Sequence, residues 1–366
     1  MTGTPLLPLE DYALLDDALC AERIRAAKAA LGDRCVILGH HYQRDEVFTH
    51  ADLTGDSLRL SREAAQSGAK YIVFCGVHFM AEVADILSRP DQIAILPDLA
   101  AGCSMADMAN RAAVERAWEE LQTVLDPDAS ITPVTYINSA ADLKAFCGRH
   151  GGIVCTSSNA RDILEWSFAR REKVLFFPDQ HLGRNTGYRM GIPLEAMVTW
   201  DFSKPLGGLT PEAIQNARMI LWKGFCSVHQ VFQPVHIDRF LERHPDTKVI
   251  VHPECALEIC EKADVIGSTE FILKAVRAAE PGTRWLVGTE LNMVNRLADE
   301  MRPKGVDVHF MSPTVCMCST MFRTDPQHLA WVLENLVQGH VVNQIRVPGA
   351  VAEPARLSLE RMLEVA

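Results

Sequence analysis

The sequence predicts an α/β protein. Short β-rich runs recur along its 366 residues, and each is followed by a polar loop and then a stretch of helical periodicity. Leucine, isoleucine, valine, alanine and methionine are spread over the whole length, with 48% of residues hydrophobic. Strands alternating with helices build βαβ units and parallel sheets. At ~150 residues per domain the length gives about two to three domains.

The candidate strands fall into groups. Cys35–Leu38, Tyr71–Phe74 and Ile93–Leu96 come early, and Ile131–Tyr136, Ile153–Thr156 and Val174–Phe177 are central. Lys248–Val251, Val265–Gly267, Trp285–Gly288 and Val306–Phe310 come late. Helical periodicity lies between them at Leu58–Ala69, Ala109–Leu125, Ile259–Ala263, Ile272–Ala279 and Met293–Met301. The Gly/Pro-rich stretch Pro205-Leu206-Gly207-Gly208-Leu209-Thr210-Pro211 separates the central and late groups. No repeat of fixed period and no low-complexity segment is visible. The tail from Pro326 to Ala366 reads as two helices that must dock on the rest.

Composition narrows the function. Thirty-six basic against 47 acidic residues give a net charge of −11 with neutral histidine. That field argues against nucleic-acid and acidic-membrane partners. The N-terminus has neither a basic n-region nor a long apolar stretch, and the most apolar run, Tyr71 to Val77, is too short to span a bilayer. A soluble, cytoplasmic protein is expected. Eleven cysteines, an odd count without a secretion signal, speak against a disulfide framework.

Ligands of parallel α/β sheets bind beyond the carboxyl ends of the strands. The loops there are polar: Gly39-His40-His41-Tyr42, Tyr136-Ile137-Asn138-Ser139, Cys155-Thr156-Ser157-Ser158-Asn159, His252-Pro253-Glu254-Cys255, Gly267-Ser268-Thr269-Glu270 and Gly288-Thr289-Glu290. Taken singly, each reads as a helix cap. Their repetition suggests a pocket for small anions, since helix N-termini bind carboxylates and phosphates. His40 with Tyr42 offers an acid/base group beside a phenol. His252-Pro253-Glu254 repeats the arrangement with a carboxylate, and a helix-dipole role for Glu254 is an equal alternative. Cys103, Cys226, Cys316 and Cys318 lie in loops near Gly or Pro, whereas Cys35, Cys75 and Cys155 belong to apolar strands. No Cys-x-x-Cys pair has zinc-ribbon spacing, so spacing alone defines no metal site.

Together these segments resemble the quinolinate synthase family, iron–sulfur enzymes of de novo pyridine-nucleotide biosynthesis. The resemblance runs from about Cys35 to Met321. It includes Gly39-His40-His41-Tyr42-Gln43, Gly55-Asp56-Ser57-Leu58, Cys75-Gly76-Val77-His78-Phe79-Met80, Ala101-Gly102-Cys103-Ser104-Met105 and Tyr136-Ile137-Asn138. It continues through Cys155-Thr156-Ser157-Ser158-Asn159, Pro178-Asp179-Gln180-His181-Leu182-Gly183, Gly224-Phe225-Cys226-Ser227-Val228-His229, His252-Pro253-Glu254-Cys255 and Gly288-Thr289-Glu290.

The resemblance implies three αβα three-layer domains in pseudo-threefold arrangement around a central cluster site. They would span 20–103, completed by C-terminal helices in 326–366, then 104–215 and 216–318. Each would give one cysteine to a [4Fe–4S] cluster: Cys103, Cys226 and Cys318. In the family the third ligand is followed three residues later by methionine, which matches Cys318 and Met321 better than Cys316, the reserve ligand. Ser104 stands where some relatives carry proline. Three thiolates would leave one iron open as a Lewis acid.

The implied reaction joins iminoaspartate to dihydroxyacetone phosphate, giving quinolinate, phosphate and two waters. By resemblance Tyr42, Glu254 and His229 are catalytic. His40, Ser57, Tyr136, Asn138, Ser157, His252, Ser268 and Thr269 would bind substrate. Iminoaspartate hydrolyses readily, so a transient contact with the enzyme that makes it is a further expectation. An iron–sulfur sensor, a non-catalytic α/β ligand-binding protein and a zinc hydrolase are the competing readings.

Overall fold

The computed structural model describes residues 5–314 and 317–365. The protein is α/β, with three mostly parallel sheets flanked by helices. Two compact units are formed. One comprises the chain up to Cys103 with Met317–Val347; the other comprises the segment starting at Ser104 with the tail starting at Pro348.

The first unit holds β1 (Cys35–His40), β2 (Leu53–Gly55), β3 (Tyr71–Cys75) and β4 (Ile93–Ile95) in the parallel order β4-β3-β1-β2. Every residue of β3 is buried, because a parallel strand in the middle of a sheet is covered on both faces. The helices Asp17–Leu31 and Pro326–Val337 pack together, and Ile24, Leu31, Leu329 and Leu333 join Val73 and Ile95 in one core. The first of these helices starts where Asp16 accepts a hydrogen bond from the Leu19 amide at 2.8 Å.

The second unit contains two sheets. β5 (Ile131–Tyr136), β6 (Ile153–Cys155), β7 (Lys173–Phe177), β8 (Met197–Trp200) and β9 (Met219–Trp222) lie in the order β6-β5-β7-β9-β8. β10 (Thr247–Val251), β11 (Val265–Ile266), β12 (Arg284–Gly288) and β13 (Asp307–Phe310) follow in the order β11-β10-β12-β13. All pairs in both sheets are parallel. β14 (Gln344–Ile345) returns to the first unit and pairs antiparallel with β4.

The three strand groups of the sequence thus each form a sheet, but two details depart from the expected boundaries. β9 lies beyond residue 215 and nevertheless pairs with β7 and β8. The Gly/Pro-rich stretch is a turn inside this sheet, with Leu206 and Gly207 at φ of 49° and 62°. Glycine is required at 207 because a Cβ would lie 2.4 Å from the Trp200 ring. The second departure is the last helix, Gly349–Val365, which was expected to complete the first domain. It packs instead on the helix Ala141–Arg149 and on β6. Ser358 Oγ donates to Lys144 O at 2.8 Å and Arg361 Nη1 to Gly152 O at 2.6 Å. No helix among the described residues is long and apolar enough to cross a membrane.

Gly148 is the notch that admits this helix: a Cβ there would stand 1.8 Å from the Pro354 carbonyl oxygen. Backbone cannot yield as a flexible side chain does, so Gly148→Ala should destabilise the protein by about 2 kcal/mol or more. Thermal unfolding beside Gly349→Ala, whose Cβ would meet nothing within 4 Å, provides the check. Equal midpoints for the two variants would refute the notch.

Candidate active site

In the second unit the polar loops gather at the carboxyl ends of the strands. Tyr136 ends β5, His252 and Glu254 follow β10, and Cys226 and His229 follow β9. Glu254 is their centre. Its Oε2 lies 2.7 Å from His229 Nδ1 and 3.8 Å from His252 Nδ1. The two imidazoles stack, with centroids 4.6 Å apart and planes inclined by 14°. His229 Nε2 is 3.3 Å from Thr289 Oγ1. Cys226 Sγ, a His229 ring nitrogen and a Glu254 carboxylate oxygen all lie within 4.8 Å of one another.

The electrostatics follow from burial. Desolvation acts to raise Glu254, but the two imidazoles and hydrogen bonds from His229 and Tyr136 outweigh it and hold the carboxyl below its usual range. Burial pushes His252 down to about 3, against the opposing pull of Glu254. Its Nδ1 accepts from the Glu254 amide at 3.4 Å, so the neutral ring carries its proton on Nε2. Its approach to Glu254 is therefore a contact rather than an ion pair.

Three residues that sequence reasoning quoted without a role belong to this neighbourhood. Asp179 is fully buried, and its Oδ1 accepts from the Leu182 amide at 2.8 Å, capping the helix Gln180–Arg189. Burial and the Glu254 charge raise its carboxyl well above the ordinary range. His181 is lowered to about 4 by burial and Arg184. Thr289, fully buried, meets His229. Asn185 carried no sequence signal of its own. Its Nδ2 donates at 2.8 Å to both Pro253 O and Cys255 O, the carbonyls on either side of Glu254.

Ser157 and Ser268 line a cavity of about 410 Å³ with Arg161, Asn185, Arg189 and Phe271. Ser268 Oγ caps the helix Thr269–Arg277, accepting from the Phe271 amide at 3.3 Å, and Thr269 is buried as its first residue. Asn159 is no cap. Its Oδ1 accepts from Thr156 N at 2.7 Å and Thr156 Oγ1 at 2.9 Å, tying the Ser157 loop into a closed turn. Asn138 follows β5, with a buried Oδ1 that has no partner among the described residues.

The first unit carries the remaining expected residues. His40 ends β1, its Nδ1 accepts from the Tyr42 amide at 3.1 Å, and the two rings meet edge to face at 4.8 Å. Ser57 opens the helix Ser57–Gln66, which Asp56 caps. Cys103 follows the Asp98 turn, where the Ala100 amide donates to Asp98 Oδ1 at 2.8 Å. The segment after Cys318 is stitched to the carboxyl edge of the sheet. Arg323 Nε meets Asp98 Oδ2 at 2.9 Å, Gln43 Nε2 lies 3.6 Å from Met321 Sδ, and Thr324 Oγ1 lies 3.5 Å from Gly76 O. Cys316, the reserve ligand, lies outside the described residues.

Thiol chemistry sorts the ten described cysteines. Burial raises Cys20, Cys35, Cys75, Cys147, Cys155, Cys255 and Cys260, with Cys35 and Cys260 pushed up to about 12. These seven pack as small hydrophobes. Cys103, Cys226 and Cys318 remain, each half-buried on a loop.

Parallel sheets with a buried carboxylate–imidazole centre at their carboxyl edge define an α/β enzyme with built-in acid–base chemistry. A family model described as quinolinate synthetase A protein matches residues 22–364. The chain belongs to that family. It is 55% identical to a quinolinate synthase of Rhodopirellula baltica, over 98% of this chain and 94% of the relative. A quinolinate synthase of Herpetosiphon aurantiacus is likewise 55% identical, over 98% and 95% of the two chains. One from a Nocardioides species is 56% identical over 96% and 91%.

The lowered values of His252 and His181 give a direct check. At about pH 5.5 an ordinary histidine is mostly protonated, yet ring ¹⁵N shifts should report both as neutral. Imidazolium shifts at either ring would contradict the burial argument.

Proposed function

We propose that the protein is a quinolinate synthase, condensing iminoaspartate with dihydroxyacetone phosphate to quinolinate, phosphate and two waters. The observation that carries the reading is the ionised Glu254 set between His229, His252 and Tyr136, with the Cys226 thiol beside it, in a chain of this family. The reaction needs proton transfers in its isomerisation, condensation and two dehydrations, and groups of this kind contribute about 10²- to 10⁴-fold each.

The reading assigns Cys103, Cys226 and Cys318 as ligands of a [4Fe–4S] cluster. Held by three thiolates, such a cluster supplies a Lewis-acidic iron able to polarise a departing hydroxyl. Glu254 is the base that takes protons from carbon. His229, at 2.7 Å from its carboxylate, steadies the charge and passes protons on. His252, neutral and protonated on Nε2, donates to a substrate oxygen. Tyr42 is the complementary acid, held by His40, which also binds a substrate oxygen. Ser57, Tyr136, Asn138, Ser157, Ser268 and Thr269 orient the two carboxylates and the phosphoryl group. Two guanidiniums, Arg161 and Arg189, at the cavity of Ser157 and Ser268 give that region the charge such anions require. Cytoplasmic action, and transient receipt of iminoaspartate from its producing enzyme, belong to the same reading.

The test is quinolinate formation by anaerobically purified, cluster-reconstituted protein given both substrates. The parent should form product. Cys103→Ala should form none, and Glu254→Gln should lose about 100-fold or more in turnover while keeping its iron. No product from a fully loaded parent would overturn the reading, and full turnover by Glu254→Gln would remove the base from Glu254.

A further inference from the structure

Lys144 is the largest charged side chain fully buried among the described residues of the second unit. It lies on the helix Ala141–Arg149 and is 0% exposed. Helical side chains lean toward the N-terminus, so this ammonium returns to the loop that precedes its own helix. Nζ donates to Ile137 O at 2.8 Å and to Ser139 O, and lies 3.4 Å from Ser139 Oγ. Ser139 Oγ donates on to Tyr136 O at 2.8 Å and accepts from Thr135 Oγ1 at 2.9 Å. A buried ammonium is costly unless its three N–H groups are met. Here oxygens from a single loop meet them.

The geometry this imposes has a second side. In a planar trans peptide the C=O and N–H point in opposite directions. Fixing the Ile137 carbonyl on Nζ therefore turns the Asn138 N–H away from the ammonium. Asn138 Oδ1 is buried without a partner among the described residues, an acceptor held ready for a ligand donor. Tyr136, at the start of the loop, reaches Glu254 with its hydroxyl. From outside, Ser358 of the last helix donates to the Lys144 carbonyl at 2.8 Å and fixes the helix that carries the ammonium.

We propose that Lys144 is a positioning residue. Its buried ammonium sets the Tyr136–Ser139 loop so that the Asn138 side-chain amide faces substrate. The inference rests on the functional reading only in calling that ligand the substrate.

The experiment compares holoenzyme carrying Lys144→Gln, Asn138→Ala and both, with kcat and KM for quinolinate formation and hydrogen–deuterium exchange of each protein. Lys144→Gln should lose about 100-fold in kcat/KM. In the Asn138→Ala background the same change should cost far less, because both act on one contact. Exchange should quicken in peptides covering 136–143 and stay unchanged elsewhere. Losses that multiply in the double variant, or faster exchange throughout the unit with kcat/KM per folded molecule unchanged, would overturn the proposal. If Lys144→Gln does not fold, Ser139→Ala takes its place, since it keeps the ammonium and cuts its link to Tyr136 O. Exchange confined to the loop would then support the proposal, and unaltered exchange would overturn it. A parent that forms no quinolinate defeats the functional reading, and the exchange measurement alone then decides the role of Lys144.

Discussion

The ionisation of Glu254 is the constraint on which the second unit is built. A carboxylate taken out of water costs several kcal/mol unless charge and hydrogen bonds replace its hydration. Here the replacement comes from β5 through Tyr136 and from the loop after β9 through His229, while the neutral His252 ring stacks on His229. Asp179 shows the alternative outcome. It has backbone amides to favour its charge, but burial, and after it the nearby Glu254 charge, outweigh them and raise its carboxyl. Two neighbouring acids are thus driven apart, one toward the ionised form and the other toward a held proton.

Keeping that charge in register demands stiff loops, and the fold supplies them with buried polar pins. Asn185 spans from the second sheet's helix to the carbonyls on both sides of Glu254. Lys144 does the same for the Tyr136 loop from below, and Asn159 closes the Ser157 loop on Thr156. Each pin is a side chain donating to or accepting from main chain, so it fixes backbone rather than another rotamer. A functional side chain inherits that rigidity through its own Cα. The sheets provide the platform, because parallel strands covered on both faces leave only their ends for chemistry.

Much of this was legible in the sequence. All ten candidate strands are strands, since each is an apolar run long enough to stand above its polar surroundings. The strands without a sequence signal are β2, β8, β9 and β14. Three of these lie at sheet edges, where short length and one exposed face erase the apolar run. β9, Met219–Trp222, is fully buried, but its four residues sit just past a Gly/Pro stretch that reads as a boundary. The last helix was visible as a helix, but its docking place was not. That depends on the missing side chain of Gly148, and an isolated helical glycine gives no sign of what approaches it. At the site, His40, Tyr42, His252 and Glu254 stood out because titratable residues at strand ends are conspicuous, whereas His229 entered only through the family resemblance, the strand before it being illegible. Lys144 and Asn185 did not, because a lysine or asparagine on a helix reads as surface until burial is known.

The cysteines carry the same lesson to the level of protonation. Spacing could not separate ligands from core thiols, because a site assembled from distant loops has no local pattern. Burial can. Seven thiols sit where desolvation holds the proton on sulfur, which makes them small hydrophobes. Three remain half-buried on loops, and one of them, Cys226, stands within 4.8 Å of the His229–Glu254 pair. Cys255 makes the contrast sharp. It adjoins Glu254 in sequence and is a plausible donor on proximity alone, yet its sulfur faces the Gly288 carbonyl inside the core. Adjacency in sequence is thus not adjacency at a site, because the direction of the side chain decides which group it meets.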